Sequence, residues 1–283
     1  MEYMKLNDGI FFKQKDFDLE DTFECGQCFR FSRLADKFYR VYALGRRVDV
    51  STRGDGILLT PCDEDEFENL WADYFDLRED YGAIKESLAM GGGVMSEAVK
   101  SAPGIRILNQ DVWECLISFI ISQNNNIPRI KSIIERISER YGSAREDYYA
   151  FPGISELNSA EMADLMKNCG TGFRAKYILA AARWAAALEP RSLARKTTAE
   201  ARAALTGIYG VGPKVADCVL LFSLRRKEAF PVDTWVKKIM REFYFDGKDA
   251  PLKDIQQLAM EKYGQYAGCA QQYLFHYARS RGN

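Results

Sequence analysis

Apolar and polar positions along this chain change period once. Between Phe38 and Thr60, aromatic and β-branched residues alternate with polar ones, and Gly45 and Gly54-Asp55-Gly56 punctuate the runs, which predicts an antiparallel meander. The acidic stretch from Asp63 to Glu68 leads into ENLWADYFDL. Carboxylates in a first helical turn complement the helix dipole, so this segment reads as a solvated helix start and is assigned no chemistry. After Gly91-Gly92-Gly93, read as a loop, the apolar pattern takes a helical period and keeps it to the C-terminus. Asp111–Gln123 is almost wholly apolar, as a central buried helix would be, and Pro128–Tyr141 carries proline in its first turn, where the missing N–H costs nothing. Further helices are predicted over Ala160–Asn168, Arg174–Leu188, Thr198–Leu205, Pro213–Leu224, Thr234–Phe243, Leu252–Tyr263 and Cys269–Arg279. The fold class is therefore α+β and mainly helical: an antiparallel-sheet domain with a flanking helix over residues 1–103, and a helical domain over 104–283.

Bulk properties narrow the class. A chain of 283 residues with 47% hydrophobic and 28% charged content is an ordinary globular protein able to bury a core. No apolar run approaches the roughly 18 residues of a membrane span, and Asp8 and Lys13 interrupt the segment where a signal peptide's apolar stretch would sit. A cytoplasmic protein without a membrane partner or nuclear signal is expected. The seven cysteines are odd in number and, apart from Cys25 and Cys28, scattered; with His276 as the single histidine, no four-ligand zinc or iron–sulfur set is apparent. Net charge is −1, which by itself argues against a nucleic-acid binder, but its distribution reverses that reading. Residues 1–100 hold 13 Lys/Arg against 21 Asp/Glu, a net of −8, and residues 101–283 hold 26 against 19, a net of +7. Any DNA contact belongs to the second part.

The densest chemistry lies in Leu205-Thr-Gly-Ile-Tyr-Gly-Val-Gly-Pro-Lys214-Val-Ala-Asp-Cys218, a short helix, a glycine-rich turn and a helix opened by Pro213. Gly210 and Gly212 are expected to permit positive φ and close approach of a phosphate, with free N–H groups at the next helix start facing the same anion. Such a turn grips DNA without reading sequence. Lys214 sits in the first turn of that helix, where the positive dipole end disfavours an ammonium and a carboxylate would be the ordinary choice. Two readings stand: a nucleophilic amine, or a lysine pairing with phosphate. Nineteen residues on, Asp233 in Phe-Pro-Val-Asp-Thr-Trp235 opens another helix. It suits an N-cap, and it also suits a carboxylate that stabilises a sugar cation at C1′.

The segments GVGPKVADC and FPVDTW, with Cys25-Gly-Gln-Cys-Phe-Arg30 and QDVWECLISF through SQNNNIPRI, resemble, in order, motifs of the 8-oxoguanine DNA glycosylase family within the helix-hairpin-helix superfamily. The resemblance implies a small antiparallel-sheet domain packed on two helical subdomains with the cleft between them, and a helix-hairpin-helix at about 198–224. It implies that Lys214 attacks C1′ to form a Schiff base and that Asp233 assists. It maps the base-binding roles to Gly26, whose carbonyl would accept the N7–H of 8-oxoguanine, to the sandwiching pair Cys218 and Phe275, and to the edge reader Gln271. Asn124 would fill the vacated space, and Arg129 with Arg174 would contact the orphaned cytosine. Phe173 stands where a tyrosine wedge is expected, and Trp235 where a histidine follows the aspartate, a bacterial-type variant. The hairpin carbonyls of Thr206, Ile208 and Val211 are matched to a structural monovalent or divalent cation, and no cofactor is required.

The implied partner is double-stranded DNA carrying 8-oxoguanine opposite cytosine, bound by a monomer. Two other classes remain open: an alkylated-base glycosylase that uses no lysine, and a non-catalytic DNA-binding module built on the hairpin. The four-cysteine cluster of the endonuclease III and adenine-glycosylase branches is not found in this sequence.

Overall fold

The structure, a computed structural model, describes residues 2–282; Met1 and Asn283, the outer limits of the two expected domains, lie outside them. In chain order its strands are β1 (Tyr3–Lys5), β2 (Ile10–Phe12), β3 (Phe31–Ala35), β4 (Phe38–Ala43), β5 (Arg46–Arg53) and β6 (Gly56–Thr60). They form one antiparallel sheet in the order β1-β2-β6-β5-β4-β3, with Val41 opposite Val48 and Val50 opposite Leu59. The period-two pattern that predicts the meander is the one the sheet uses: Tyr39, Val41 and Ala43 of β4 are buried and the residues between them are half-buried. Three strands fall outside that reading. β1 and β2 have three residues each, and β3 buries only Phe31, so none carries enough alternation to register.

The helices are α1 (Leu19–Phe23), α2 (Glu64–Glu66), α3 (Ala72–Tyr74), α4 (Tyr81–Ala89), α5 (Gly93–Ser101), α6 (Val112–Ser122), α7 (Ile127–Tyr141), α8 (Ile154–Asn158), α9 (Met162–Lys167), α10 (Ala175–Ala187), α11 (Thr198–Thr206), α12 (Pro213–Ser223), α13 (Thr234–Tyr244), α14 (Leu252–Tyr263) and α15 (Ala267–Arg281). Asp63 caps α2 by accepting the Glu66 N–H at 2.8 Å, so the acidic stretch is a helix start. Between α2 and α3 a wide π-helical turn carries Phe67 and Trp71 onto one face, where they join Phe12, Phe23, Tyr39 and Phe75 in an aromatic core beneath the sheet. The glycine run is shorter as a loop than its composition suggests. Gly92 and Gly93 both take φ +62, and Gly93 already opens α5.

The second core is helical. α6 is buried on every side from Val112 to Ile121 except at Glu114, and is capped by Asp111, which accepts from the N–H groups of Trp113 and Glu114. α7 buries Ile130, Ile133, Ile134 and Ile137, a stripe spaced for a single helix face. α6 packs on α7, α10 and α12, while α15 packs on α5, α13 and α14, so the C-terminal helix lies against a helix from the first hundred residues. Between the two cores Arg106 is fully buried, donates to the carbonyls of Phe75, Asp76 and Glu79, and lies 4.1 Å over the Tyr81 ring.

Candidate active site

The turn between α11 and α12 is built by short-range backbone bonds: Ile208 N–H donates to Leu205 O at 3.1 Å and Val211 N–H to Ile208 O at 2.9 Å. Gly210 takes φ +89, and a Cβ there would lie 2.1 Å from the Tyr177 ring, so glycine is required for both backbone and space. Gly212 corrects the expectation of positive φ. It is extended at φ −92 and ψ 176, and a Cβ there would meet nothing within 4 Å. What its hydrogen side chain provides is open space in front of the α12 N-terminus, not conformational freedom. Gln123 Nε2 ties this turn to the end of α6 by donating to Gly210 O at 3.0 Å.

Pro213 in the first turn of α12 places Lys214 one position further on, half-buried, with Nζ 3.5 Å from Ser122 Oγ and 4.8 Å from the centre of the Phe119 ring. Both neighbours are neutral. One turn later stands Cys218, 2% exposed, whose thiol burial pushes up to about 11, so it presents a neutral sulfur. Asp233 caps α13 by accepting the Val236 N–H at 2.8 Å. Burial raises its carboxyl above the ordinary aspartate range, while the Val236 N–H and the Lys214 charge pull it back. Asp217, three residues after Lys214, is a foil. It is fully buried and held by Arg202 Nε and Gln256 Nε2, each at 2.7 Å, so nothing of it is left for a substrate.

Facing Lys214 across a cleft of about 750 Å³ are Gly26, Gln271 and Phe275, and Cys218, Asp233, Asn124 and Trp235 line the same space. Gly26 takes φ +79, and a Cβ on it would come within 3.2 Å of the Phe275 ring. Gln271 lines the cleft and is 4% exposed, and its buried Oε1 has no hydrogen-bond partner among the described residues. Cys25 and Cys28 are buried free thiols. Cys25 donates to Thr22 O at 3.1 Å and accepts from Gln27 and Gln272, so the C-x-x-C spacing serves packing around Gly26.

Of the residues singled out in the sequence, the turn residues Thr206, Ile208, Gly210, Val211 and Gly212 lie outside the cleft lining, and so do Phe173, Arg174 and Arg129. Phe173 is 48% exposed beside the Arg174 guanidinium, 4.4 Å from its ring centre. Arg174 is 3% exposed and gives its donors to the carbonyls of Gln123, Asn124 and Thr171, so here it holds the asparagine turn instead of facing solvent. Arg129, at the start of α7, is exposed, and Asn124 takes φ +49 at the turn Arg174 holds. Sequence reasoning missed Gln272, Arg279 and Ser122, which also line the cleft. Arg279 had a signal, since residues 271, 275 and 279 recur at helical spacing on α15; Ser122 opens the SQNNNIPRI segment without an assigned role, and Gln272 had no signal.

Residues 9–116 match the model of the 8-oxoguanine DNA glycosylase N-terminal domain, and residues 117–265 match that of HhH-GPD superfamily base excision DNA repair proteins. The chain belongs to the 8-oxoguanine DNA glycosylase family. Within it, a probable N-glycosylase/DNA lyase of Methanothermobacter thermautotrophicus is 32% identical over 232 residues, covering 74% of this chain and 72% of the relative. The 8-oxoguanine glycosylase/lyase of Clostridium acetobutylicum, solved with double-stranded DNA containing cytosine opposite 8-oxoG, superposes with a TM-score of 0.94 at 39% identity over 100% of this chain and 99% of that one. MBOgg1, solved with a low-affinity DNA ligand, gives a TM-score of 0.95 at 41% identity over the full length of both chains.

This member of the 8-oxoguanine DNA glycosylase family holds, among its described residues, no group of three or more His, Cys, Asp or Glu side chains placed to bind a metal ion, and no helix long and apolar enough to cross a membrane. The hairpin carbonyls of Thr206, Ile208 and Val211 are neutral oxygen donors of the kind hard cations take. Ile208 O already accepts the Val211 N–H, which leaves it one lone pair for such an ion.

Proposed function

We propose that this protein excises 8-oxoguanine from duplex DNA and then cleaves the strand at the resulting abasic site. The observation that carries the reading is the cleft itself, which gathers Lys214, Asp233, Cys218, Gln271 and Phe275 around one space. A base turned out of the helix would lie between the Phe275 ring and the Cys218 sulfur, with Gln271 on its Watson–Crick edge. The Gly26 carbonyl would accept the N7–H that 8-oxoguanine carries. Guanine offers a bare N7 acceptor there, so the same carbonyl repels it.

Lys214 Nζ attacks C1′ with its lone pair as the C1′–N9 bond breaks; the electron pair of that bond leaves with the base, which takes up the proton that Nζ sheds. The Asp233 carboxylate faces the positive charge that develops on the sugar. Opening of the sugar ring gives a Schiff base between Nζ and C1′; loss of a proton from C2′ then expels the 3′ phosphate and cuts the strand. Ser122 Oγ and the Phe119 ring keep Nζ in place with neutral contacts.

The backbone N–H groups of the Gly210–Gly212 turn and the α12 N-terminus would hold a phosphate, and a cation on the Thr206, Ile208 and Val211 carbonyls would stiffen the turn. The exposed Phe173 ring would wedge into the stack, with Asn124 filling the gap and Trp235 packing beside the lesion strand. Arg129 would read the orphaned cytosine while Arg174 fixes Asn124 for it. One chain supplies every group named, so a monomer suffices. A lysine-independent alkylated-base enzyme or a passive DNA-binding module would leave Lys214 idle.

The test is borohydride added to enzyme and 8-oxoguanine:cytosine duplex, which reduces only an imine. A covalent adduct is expected with the unaltered protein and none with Lys214→Gln. Equal trapping by both would remove Lys214 from the chemistry.

A further inference from the structure

The loop that carries Gly26 is held from outside itself. Arg279 Nη1 donates to Glu24 O at 3.2 Å, and Gln272 Nε2 donates to Cys25 O and to Cys25 Sγ, both at 3.2 Å. On the other side, Gln110 Nε2 donates to Gln27 O at 2.7 Å. The fully buried Gln27 side chain anchors the loop from beneath, donating to Thr22 O and Arg106 O and accepting the Leu108 N–H. The carbonyls of residues 24, 25 and 27 are thus engaged, and the Gly26 carbonyl between them accepts no hydrogen bond from any described residue. Neighbouring glutamines on α15 divide the work: Gln272 Nε2 donates to the loop, and Gln271 Oε1 has no hydrogen-bond partner among the described residues.

We propose that Gln272 and Arg279 are positioning residues for base selectivity, clamping the Glu24 and Cys25 carbonyls from α15 so that, of the carbonyls from Glu24 to Gln27, the one of Gly26 is presented free to a base. The proposal rests on the reading of Gly26 given above and adds what sets its place. Gly26 has positive φ and no side chain, so its own peptide is the least constrained in the loop. A carbonyl that must tell N–H from a lone pair discriminates only if it does not retreat from the wrong base. The clamp also adjoins the Phe275 ring, since the Arg279 guanidinium lies 5.9 Å from its centre and Gly26 packs on its edge.

Equilibrium binding of 8-oxoguanine:cytosine and guanine:cytosine duplexes, measured in a Lys214→Gln background that prevents turnover, gives the selectivity ratio directly. Arg279→Met and Gln272→Met are each expected to lower that ratio about tenfold, the value of one well-placed hydrogen bond. Arg279→Lys, which keeps a donor, should restore most of it. Borohydride trapping on duplex with a preformed abasic site, run with Lys214 intact, offers the loop no base to read and should stay within about twofold of the unaltered protein. An unchanged selectivity ratio, or a loss of abasic-site trapping that parallels the loss of selectivity, would overturn the clamp. If the parent protein shows no preference for 8-oxoguanine, the Gly26 reading fails with it; a preference that survives both substitutions sinks the clamp alone.

Discussion

The two walls of the cleft are built by different means. The wall that carries Lys214, Cys218 and Asp233 is local: a turn closed by bonds between residues three apart, a proline that starts α12, and an aspartate that caps α13. The opposite wall, with Gly26, Gln271 and Phe275, exists only because the last helix meets a loop near the N-terminus, through contacts spanning 247 and 255 residues. The local wall holds the groups suited to bond breaking, and the assembled wall holds those suited to recognising a base. Damage to the first should therefore remove chemistry on any substrate, and damage to the second should remove preference between substrates.

Asp233→Asn is the sharpest way to break this division. Asparagine caps a helix about as well as aspartate, so stability should barely change, while single-turnover excision should fall on the order of a hundredfold for want of the charge. Because burial raises the Asp233 carboxyl, its charged form is lost on acidification at a pH above the ordinary aspartate range. The acid limb of the excision profile should lie correspondingly high and disappear in Asp233→Asn; a rate that keeps both its size and its acid limb would reduce Asp233 to a cap.

Gly26→Ala acts on the other wall. A side chain at φ +79 and 3.2 Å from the Phe275 ring should cut excision of 8-oxoguanine roughly ten- to a hundredfold. Trapping at a preformed abasic site should persist, and its parallel loss would mean that the two walls do not separate. Smaller still is Arg129→Met, which should reduce the excision preference for cytosine over adenine opposite the lesion by about tenfold while excision opposite cytosine stays active. Equal rates against all four opposite bases in the unaltered protein would confine Arg129 to the DNA backbone.

The smallest effect is expected at the turn. Gly212→Ala fits the fold, since its position is extended and open, and should weaken binding to damaged and undamaged duplex alike by a few-fold, because phosphate contacts carry no base information. Gly210→Ala collides with Tyr177 and should lower the melting temperature as well. A binding loss confined to lesion DNA in Gly212→Ala would contradict the turn's assigned place in the gripping wall.

Much of this molecule was legible in the amino-acid order. The strands from Phe38 to Thr60, the acidic helix start after Asp63, the buried α6, the proline-started α7 and α12 and the cap Asp233 are all set by side chains acting on their own backbone or on one face of one element. Strands of three residues have no period to display, so β1 and β2 were not read. Nor did the order show that Gly212 needs no positive φ, because Gly210 alone absorbs the reversal of the chain.

By itself the sequence determined where the meander and, apart from α8, the helices from α6 onward lie, which lysine opens a helix after a glycine turn, and which aspartate caps the next one. These follow from forces that act within a few residues. Tertiary structure alone decided that Arg174 gives its donors to Gln123 and Asn124, that Gln272 Nε2 donates to Cys25 while the neighbouring Gln271 Oε1 has no hydrogen-bond partner among the described residues, and that Arg279 reaches Glu24. Each of those depends on which distant carbonyl a buried donor meets when α15 closes on the loop before β3, and no spacing along the chain encodes that meeting.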